Sequence, residues 1–549
     1  PESKLRVIAP DVGGGFGSKL DVYAEEAIGL ALARRLGRPV KWIETRSEAY
    51  LATIHGRHMI QDIELAATDN GELLGVRVRL IAGMGGYLQL IAPGIPILGA
   101  FLYAGPYRAK AYSFECTGVF TNQTPTDAYR GAGRPEATYA IERAMDALAR
   151  RLGKDPAEIR RLNLMRPFSE ATPSVTGISF DSGNYEASLD RALELASYEE
   201  LRKEQRARSG AKLLGIGIST YIEGCGWAPS RILGQIRYAG GGWEAATVRV
   251  LPTGKVAVVT GTSPHGQGHD TVWSQIVADA LGVDFDDVEV MHGDTAVSAL
   301  GWDTYGSRSV AVGGVAVQQA SQKVIDKARK IAAHQLEVSE ADLVYEGGRF
   351  SVKGAPSRGV TVAELALQAW TAHNLPDGLE PGLEGTAVFD PPNLTYPSGT
   401  HICVVEVDAE TGQVRILKYV AVDDCGVVIN PQIVEGQVHG GIAQGIAEAV
   451  FEEAVYDDSG NLLTGSMMNY LVPSAAELPS FVVDRTVTPS STNPMGVKGV
   501  GETGTIAAPP AVVNAVIDAL APLGVTHIEM PMSPERVWRA IEEAKGGQA

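Results

Sequence analysis

The sequence lacks several features that would identify common classes of protein. Its four cysteines are scattered without a CxxC pair, which argues against an iron-sulfur cluster or a structural zinc ion on this chain. Neither a GxGxxG fingerprint nor a GxxxxGK[ST] loop occurs in a convincing context, so an ordinary nicotinamide or ATP site is disfavoured. Positive charge is also scarce, and a formal net charge of −18 repels a polyanion. We therefore expect no nucleic-acid partner.

No segment predicts a membrane span or a targeting sequence. The stretch between Arg79 and Arg108 carries no charge and is long enough to cross a bilayer, but its prolines and glycines interrupt any continuous helix. The first residues show no basic region followed by an apolar one. Because unpaired cysteines fit a reducing compartment, we expect a cytoplasmic location.

Glycine is abundant, at 63 of 549 residues against the roughly 7% of an average protein. It recurs in one pattern: a β-rich run, a glycine-rich turn and an amphipathic helix. The first copy has an apolar run from Leu5 to Pro10, glycines at 13–17 and a helix from about Val22 to Leu36. A strand is predicted next, from Val40 to Thr45, and a hairpin is predicted over 246–259.

This alternation predicts an α/β (α+β) fold, with two elongated lobes of mixed β-sheets and packed helices. The length is too great for one ordinary core at about 150 residues per domain. Prolines 167 and 173 and the charged run from Glu199 to Arg208 indicate a boundary with a bridging helix. We predict one domain over residues 1–195 and a second over residues 196–549.

Glycine-rich turns also precede predicted helices at 263–269, 304–314, 436–445 and 496–504. Such a turn exposes unpaired N–H groups at the positive end of a helix dipole, where a phosphate or another anion can bind without a cationic side chain. One turn of this kind is weak support for a ligand. Several together predict an anionic ligand that many loops hold at once.

Six motifs in these turns resemble those of the xanthine oxidase, aldehyde oxidase and aerobic carbon monoxide dehydrogenase superfamily, in the family's order from residue 11 to residue 502. GGGFG at 13–17 is similar to the first cofactor loop, and AYRGAGRPE at 128–136 to the second. HGQGH at 265–269 resembles the third, GSRS at 306–309 the fourth and 436–445 the fifth. KGVGE at 498–502 matches the loop that carries the family's catalytic carboxylate.

The resemblance implies a molybdenum ion held by molybdopterin, commonly as the cytosine dinucleotide in bacterial members, with no protein side chain on the metal. It places Gly15, Phe16 and Gly17 beside the molybdenum, and has Gln267 and Gln444 bind the pterin or pyrophosphate. The implied cofactor-binding residues are Gly14, Gly15, Phe16, Gly17, Arg130, Gly131, Ala132, His265, Gly266, Gln267, Gly268, Gly306, Ser307, Arg308, Ser309, Gln444, Lys498, Gly499, Val500 and Gly501.

The same resemblance makes Glu502 the catalytic base. In the family this carboxylate removes a proton from a molybdenum-bound hydroxide, the resulting oxide attacks the substrate carbon, and hydride passes to the sulfido ligand. We expect an apolar, glycine-bounded pocket to raise the pKa of Glu502 towards neutrality. The alternative role is that of a helix N-cap or first-turn acid before a helix near Ile506.

The implied activity is a molybdenum hydroxylase subunit that oxidises an aldehyde or N-heteroaromatic substrate with water as the oxygen source. Its electrons would leave for a 2Fe-2S small subunit and a FAD-binding medium subunit, because neither cofactor has a motif here. Form I carbon monoxide dehydrogenases carry a cysteine after the loop arginine, whereas this loop reads Arg130-Gly131-Ala132. The chain is therefore more similar to form II members.

From the resemblance we expect the chain to lack the N-terminal segment that precedes the first glycine loop in the family, and to need that segment for turnover. Two alternatives stay open. The first is a non-catalytic cofactor-binding fragment of a split or truncated large subunit. The second is a metal hydrolase using His265 and His269, although Gly266 and Gly268 break the helix that this spacing needs. Cys225 lies either near the substrate channel or in the core as a structural thiol.

Overall fold

The computed structural model describes residues 4–226, 228–235, 238–298 and 300–546. The helices are α1 (Ala24–Leu36), α2 (Arg46–Ala52), α3 (Gly94–Ala100), α4 (Arg134–Leu152), α5 (Pro156–Asn163), α6 (Tyr185–Ala196), α7 (Tyr198–Ala207), α8 (Ser230–Gln235), α9 (His269–Leu281), α10 (Val315–Leu336), α11 (Val362–Thr371), α12 (Pro431–Val450), α13 (Thr503–Leu520) and α14 (Pro534–Gly546).

The strands are β1 (Met59–Ala67), β2 (Leu73–Gly83), β3 (Ala111–Val119), β4 (Thr172–Pro173), β5 (Ser179–Phe180), β6 (Lys212–Ile222), β7 (Glu244–Val250), β8 (Val256–Thr260), β9 (Val288–Met291), β10 (Leu343–Glu346), β11 (Arg349–Val352), β12 (Ala355–Thr361), β13 (Leu383–Phe389), β14 (Ser398–Asp408), β15 (Val414–Asp424) and β16 (Phe481–Arg485). They form sheets in the orders β1-β2-β3, β4-β5, β10-β11-β12, β13-β7-β8-β9 and β16-β15-β14-β6. This mixture of helices and mixed sheets confirms the predicted fold class.

Helix ends follow the sequence signals closely. Helices α1 and α4 share the ending Ala-Arg-Arg-Leu-Gly, and in each the glycine takes a left-handed conformation, with φ of 63° at Gly37 and 62° at Gly153. Only glycine adopts this conformation without steric cost, which is why the helix stops there. The predicted hairpin is also present as β7 and β8, and the bridging helix as α7.

Three local predictions are wrong. Residues 40–45 form no strand, and the run from Leu5 to Pro10 makes only a single bridge, between Ile8 and Asp294. Residues 40–45 pair with no strand, and Leu5 to Pro10 is limited to a short pairing with residues 293–295. The predicted glycine loop 436–445 lies inside α12, where its small residues serve packing. A Cβ on Gly441 would lie 2.8 Å from the Cα of Gly504 in α13, so these helices touch through their backbones.

The sheet β16-β15-β14-β6 lies between α13 on one face and α6 on the other, and α4 packs against α13 beside the edge strand β6. Helix α13 is seated directly on β6 because β6 carries glycine where the two meet. A Cβ on Gly215 would lie 1.9 Å from the carbonyl oxygen of Ala515, and one on Gly217 would lie 2.1 Å from that of Ala511. Any larger residue at either position would lift the helix off the sheet.

A second large core lies between α9, α10 and the sheet β13-β7-β8-β9, and is made of aliphatic side chains together with the buried Trp273 and Phe350. Residues on both sides of the predicted domain boundary share another core, in which Ile141 of α4 packs with Ile216 and Val420 of the central sheet. No observation tests the boundary at residue 195, which stays a prediction.

Two apolar helices differ in their surroundings. Residues Thr503–Leu523 are apolar and long enough to cross a membrane, but 78% of the most apolar window is buried, as in a core helix. In contrast, α1 contains no buried residue, and Ile28, Leu32 and Leu36, which share one face, are 55%, 42% and 58% exposed. A face this apolar is typical of a contact surface.

Candidate active site

The first two glycine loops contact each other directly. The backbone N–H of Arg130 donates to the carbonyl oxygen of Phe16 over 2.8 Å, and the Arg130 guanidinium lies 5.4 Å from the centre of the Phe16 ring. A Cβ on Gly17 would lie 1.7 Å from the carbonyl oxygen of Ala128, so only glycine allows this approach. Residue 17 also has a φ of 116°, which glycine tolerates best.

The third loop lies against the first. A Cβ on Gly15 would lie 3.3 Å from Nδ1 of His265, and one on Gly266 would lie 3.5 Å from the carbonyl oxygen of Val12. Within the third loop, the backbone N–H of His265 donates to Oε1 of Gln267. His265 and Gly266 therefore lie against the first loop, and Gln267 binds the backbone of His265.

Glu502 joins the second, fourth and sixth loops. It is buried, with 9% of its surface exposed, and immediately precedes α13. Its Oε1 accepts the backbone N–H of Gly131 at 2.8 Å. Its Oε2 accepts hydrogen bonds from Oγ of Ser307 at 2.7 Å and from Nη2 of Arg134 at 2.8 Å. Glu502 occupies the N-cap position of α13, as the alternative role requires, but its side chain accepts no hydrogen bond from the first turn of that helix.

The expectation of a raised pKa for Glu502 is wrong. Burial does raise the pKa, but the charge of Arg134 and hydrogen bonds from Glu223, Ser307 and Gly131 outweigh it and lower the pKa to about 2. The glycine motif suggested an apolar pocket, whereas the fold supplies a buried cation and several donors. Glu502 is consequently ionised at neutral pH and able to accept a proton.

Arg130 ties three of the predicted elements together. Its Nε donates to the carbonyl oxygen of Gly501 at 2.6 Å, its Nη1 to Oε1 of Gln444 at 3.2 Å and its Nη2 to the carbonyl oxygen of Gln437 at 3.2 Å. Gln444 and Gln437 lie on α12, so this helix contributes side chains where a loop was expected. The arginine fixes α12 against the loop that ends at Glu502.

Two predicted cofactor-binding side chains point elsewhere. The Arg308 guanidinium is fully buried and pairs with Glu244, and it also donates to the carbonyl oxygens of Gly242 and Trp243 at 3.1 and 2.9 Å. Lys498 is 2% exposed, and its Nζ donates to the carbonyl oxygens of Ser182 and Tyr396, each at 3.1 Å. The family resemblance placed both residues in cofactor-binding loops, but their side chains hold other parts of the chain behind those loops.

Other predicted residues close the gaps between loops. A Cβ on Gly499 would lie 2.3 Å from the carbonyl oxygen of Ser307, and one on Gly501 would lie 3.2 Å from its Oγ, so 498–502 runs along 306–309. The hydroxyl of Ser309 donates to Oγ1 of Thr304 within its own loop. A Cβ on Gly268 would meet Ile433 of α12 at 2.7 Å. Gly14, Gly306 and Val500 lie in the same contacting segments.

Backbone strain is concentrated here. Phe16, Ala132 and Ser307 have φ values of 53°, 45° and 54°, in the left-handed region that costs a non-glycine residue roughly 1–2 kcal/mol. One lies in each of the first, second and fourth loops. Residues held in this conformation cluster at sites of function, where the surrounding structure enforces them.

Several helices also begin in these loops without a side-chain cap. No side chain accepts from the first turn of α4, α9 or α13, or of the π-helical turn Ser309–Gly314 that leads into α10. Their first N–H groups therefore have the positive end of a helix dipole and no protein acceptor from a capping side chain. This arrangement suits an anionic ligand.

Sequence reasoning missed three charged residues at the site. Arg134 was visible in the second motif but was not singled out, and it contacts Glu502. Glu223 follows the apolar strand β6, and a single acidic residue at the end of an apolar strand was the only sign of its role in the sequence. Arg57 donates to the carbonyl oxygens of Tyr129 and Arg130 at 3.2 and 2.5 Å and so supports the second loop.

The His265 and His269 pair does not resemble a metal site. His269 begins α9 and packs against Trp273, with ring centres 5.0 Å apart, whereas His265 faces the first loop. Among residues 4–226, 228–235, 238–298 and 300–546, no group of three His, Cys, Asp or Glu side chains could hold a metal ion. The metal hydrolase hypothesis has no support in this geometry.

Comparison with known proteins supports a cofactor site at these loops. Two molybdopterin cofactor-binding domains match the chain, over residues 1–164 and 191–479. The chain belongs to the molybdopterin-binding large subunits of the xanthine oxidase superfamily. It is 42% identical to the carbon monoxide dehydrogenase large chain of Hydrogenophaga pseudoflava, over 99% of this chain and 68% of that protein.

Solved structures place the large subunit in the same family. The Cu,Mo-CO dehydrogenase in its carbon monoxide reduced state superposes with a TM-score of 0.94 at 39% identity, covering 99% of this chain and 69% of that one. Quinoline 2-oxidoreductase from Pseudomonas putida 86 gives the same four values. The subunit is therefore a molybdenum-dependent oxidoreductase, and the alternative of a fragment without turnover is not supported.

Proposed function

We propose that this large subunit hydroxylates an aldehyde or an N-heteroaromatic compound, with Glu502 as the base. The observation that carries the proposal is the ionised, buried carboxylate of Glu502 where the glycine loops meet, held by Gly131, Ser307 and Arg134. A base must be deprotonated and fixed in direction to accept a proton from a positioned water. Both conditions hold for Glu502.

The residues present fit a molybdopterin cofactor. The uncapped starts of α4, α9 and α13 offer backbone N–H groups to its phosphates, and a dinucleotide form would use more of them. Gln267 and Gln444 would hold the pterin or pyrophosphate, and Gly15 to Gly17 would flank the metal. When bound, the cofactor supplies the two-electron oxidation of the substrate carbon.

The chain's own residues then have separate tasks. Glu502 accepts a proton at a carboxylate oxygen, Arg130 fixes α12 beside the loop that carries Glu502, and Gly131 and Ser307 keep the carboxylate from rotating. Since these donors are already bound to the ionised form, little reorganisation is needed when the proton moves.

The loop after Arg130 supports an organic substrate. Gly131 and Ala132 stand where form I carbon monoxide dehydrogenases have a cysteine, so the loop offers no thiolate for copper. Cys225, whose neighbourhood includes Glu502, is fully buried, and burial raises its pKa well above the ordinary value. These properties favour the hypothesis that Cys225 is a structural thiol in the core.

We further propose that the subunit works in a cytoplasmic complex with a 2Fe-2S small subunit, a FAD-binding medium subunit and the N-terminal large-subunit segment of its family. The exposed apolar face of α1, with Ile28, Leu32 and Leu36, supports a covering partner close to the first glycine loop. Relatives also extend beyond the matched region, since the chain spans 68% of the first of them.

The test is Glu502→Gln in the assembled, sulfurated complex, with dye-linked turnover of an aldehyde and N-heteroaromatic panel. We expect kcat to fall by about 10²- to 10⁴-fold, the usual contribution of a general base. Molybdenum content should stay at the wild-type level. Wild-type turnover by the Gln variant would exclude Glu502 as the base, and zinc in place of molybdenum would exclude the cofactor.

A further inference from the structure

Glu223 is a second carboxyl group beside Glu502, and the proposed mechanism does not use it. It lies directly after Ile222, the last residue of β6, and its side chain has 0% exposure. A carboxylate removed from water in this way is costly unless donors surround it. Its contacts therefore indicate which form of the group the fold accommodates.

Glu223 and Glu502 share one nitrogen of Arg134. Nη2 of Arg134 lies 2.8 Å from Oε2 of Glu502 but 3.4 Å from Oε1 of Glu223, so the shorter and stronger bond goes to Glu502. Oε2 of Glu223 is buried, and no hydrogen-bond donor reaches it among the residues that the structure describes. An ionised carboxylate would leave this oxygen unsatisfied, whereas a protonated one has a hydrogen to give.

The charges around the pair point the same way. Burial and the negative charge of Glu502 raise the pKa of Glu223 well above its usual range, and Arg134 only partly opposes this. Arg130, the other nearby cation, directs its hydrogen bonds to Gly501 and α12 instead of to either carboxylate. The titratable or charged groups that face Glu223 are Glu502, Arg134, Arg130, Cys225 and Tyr221.

Resting on the proposed role of Glu502, we propose that Glu223 is a positioning residue that keeps its proton and donates a hydrogen bond to the neighbouring Glu502 carboxylate, with which it shares Nη2 of Arg134. The pair then carries one proton and one negative charge, and the charge resides on Glu502 beside Arg134. The O–H of Glu223 stays intact when Glu502 accepts a proton, so no further acceptor is required. Glu223 acts only through Glu502.

The test compares Glu223→Gln with Glu223→Leu in the assembled complex. An amide N–H can replace the donated O–H, so the Gln variant should keep kcat within about threefold of wild type. The Leu variant removes a donor to a charged group, and kcat should fall about 10- to 100-fold. The acid limb of its kcat/KM profile should move to higher pH, which a merely structural role would not cause.

Infrared difference spectroscopy of the protein labelled with ¹³C-glutamate gives a readout independent of turnover. Wild type should show a protonated carboxyl band at neutral pH that Glu223→Gln removes and that Glu502→Gln keeps or shifts. Glu384→Gln, on the exposed surface of β13, is the matched control and should leave both spectrum and rate unchanged. The band can be measured even where the Leu variant fails to fold.

The two proposals fail in different ways. Full activity of Glu502→Gln would remove the proposed function and this inference with it. An inactive Glu502→Gln variant together with a fully active Glu223→Leu variant would overturn the inference alone. A Gln variant as impaired as the Leu variant, or one that retains the protonated carboxyl band, would show that Glu223 does not donate its proton to Glu502.

Discussion

Oγ of Ser307 lies 2.7 Å from Oε2 of Glu502, a hydrogen bond between two loops 195 residues apart in the chain. The hydroxyl has only one hydrogen to donate, and it donates this hydrogen bond to the carboxylate. Because Ser307 itself is held at a φ of 54°, the fold keeps this donor in place at some conformational cost. The bond therefore contributes to the low pKa of Glu502.

We expect Ser307→Ala to raise the pKa of Glu502. A hydrogen bond to a charged group is worth about 1.5–3 kcal/mol, equivalent to a rise of roughly one to two pH units from a pKa of about 2. Proton acceptance requires the ionised form, so activity is lost as pH falls through this pKa, and the acid limb of kcat/KM should move to higher pH. Ser321→Ala, whose hydroxyl donates within α10, is the control. An unmoved limb would contradict the prediction.

Gly17→Ala should separate the first two loops. The added Cβ would lie 1.7 Å from the carbonyl oxygen of Ala128, at a φ of 116°, so the GGGFG turn has to shift. A cost of about 1.4 kcal/mol or more corresponds to at least a tenfold loss of cofactor affinity. The measurement is molybdenum content after dialysis. Gly13→Ala is the matched control, since its Cβ meets nothing within 4 Å; equal loss in both would refute a steric cause.

Arg308→Met should destabilise the protein without touching Glu502 directly. It leaves the fully buried Glu244 without its cation, which typically costs about 3–5 kcal/mol in the free energy of unfolding. Urea denaturation measures the loss. The double variant Arg308→Met with Glu244→Leu should recover part of the stability, because no charge then stays buried. A single variant as stable as wild type would show that the pair is not structural.

His269 makes stability depend on pH. Burial lowers its pKa from 6.5 to about 3, so between these values the unfolded chain binds a proton that the folded chain does not. The free energy of unfolding should therefore fall as pH falls from 6.5 towards 3, by up to about 1.4 kcal/mol per unit from this residue.

His269→Phe and His269→Gln should both flatten this dependence in urea denaturation curves at several pH values. The two replacements pack differently against Trp273 but share the loss of the titrating ring. Agreement between them would attribute the effect to titration. If both variants keep the wild-type slope, His269 is not the source.

The sequence was sufficient for what short motifs determine. Left-handed glycines end α1 and α4 where predicted, and the second and fourth glycine loops contact Glu502. It was insufficient where one residue depends on another far along the chain. Arg134 reaches Glu502 across 368 positions and Glu223 across 89, and without them the pKa of Glu502 was assigned the wrong direction.

Context also decided the local errors. The glycines of α12 suggested a loop because glycine disfavours helices by about 1 kcal/mol, yet contact with α13 requires small residues there. Residues 40–45 have the composition of a strand but no partner strand. Propensity describes a segment alone, and packing overrides it.

The glycines of β6 affect how accurately the Glu502 carboxylate is positioned. Ala511 and Ala515, which contact Gly217 and Gly215, lie on α13, the helix whose first turn follows Glu502. A methyl group inserted between β6 and the middle of α13 would tilt the helix. The Glu502 carboxylate, at the N-terminal end of α13, would then be displaced. Tolerances at the reacting atoms are thus set by residues that never meet the substrate.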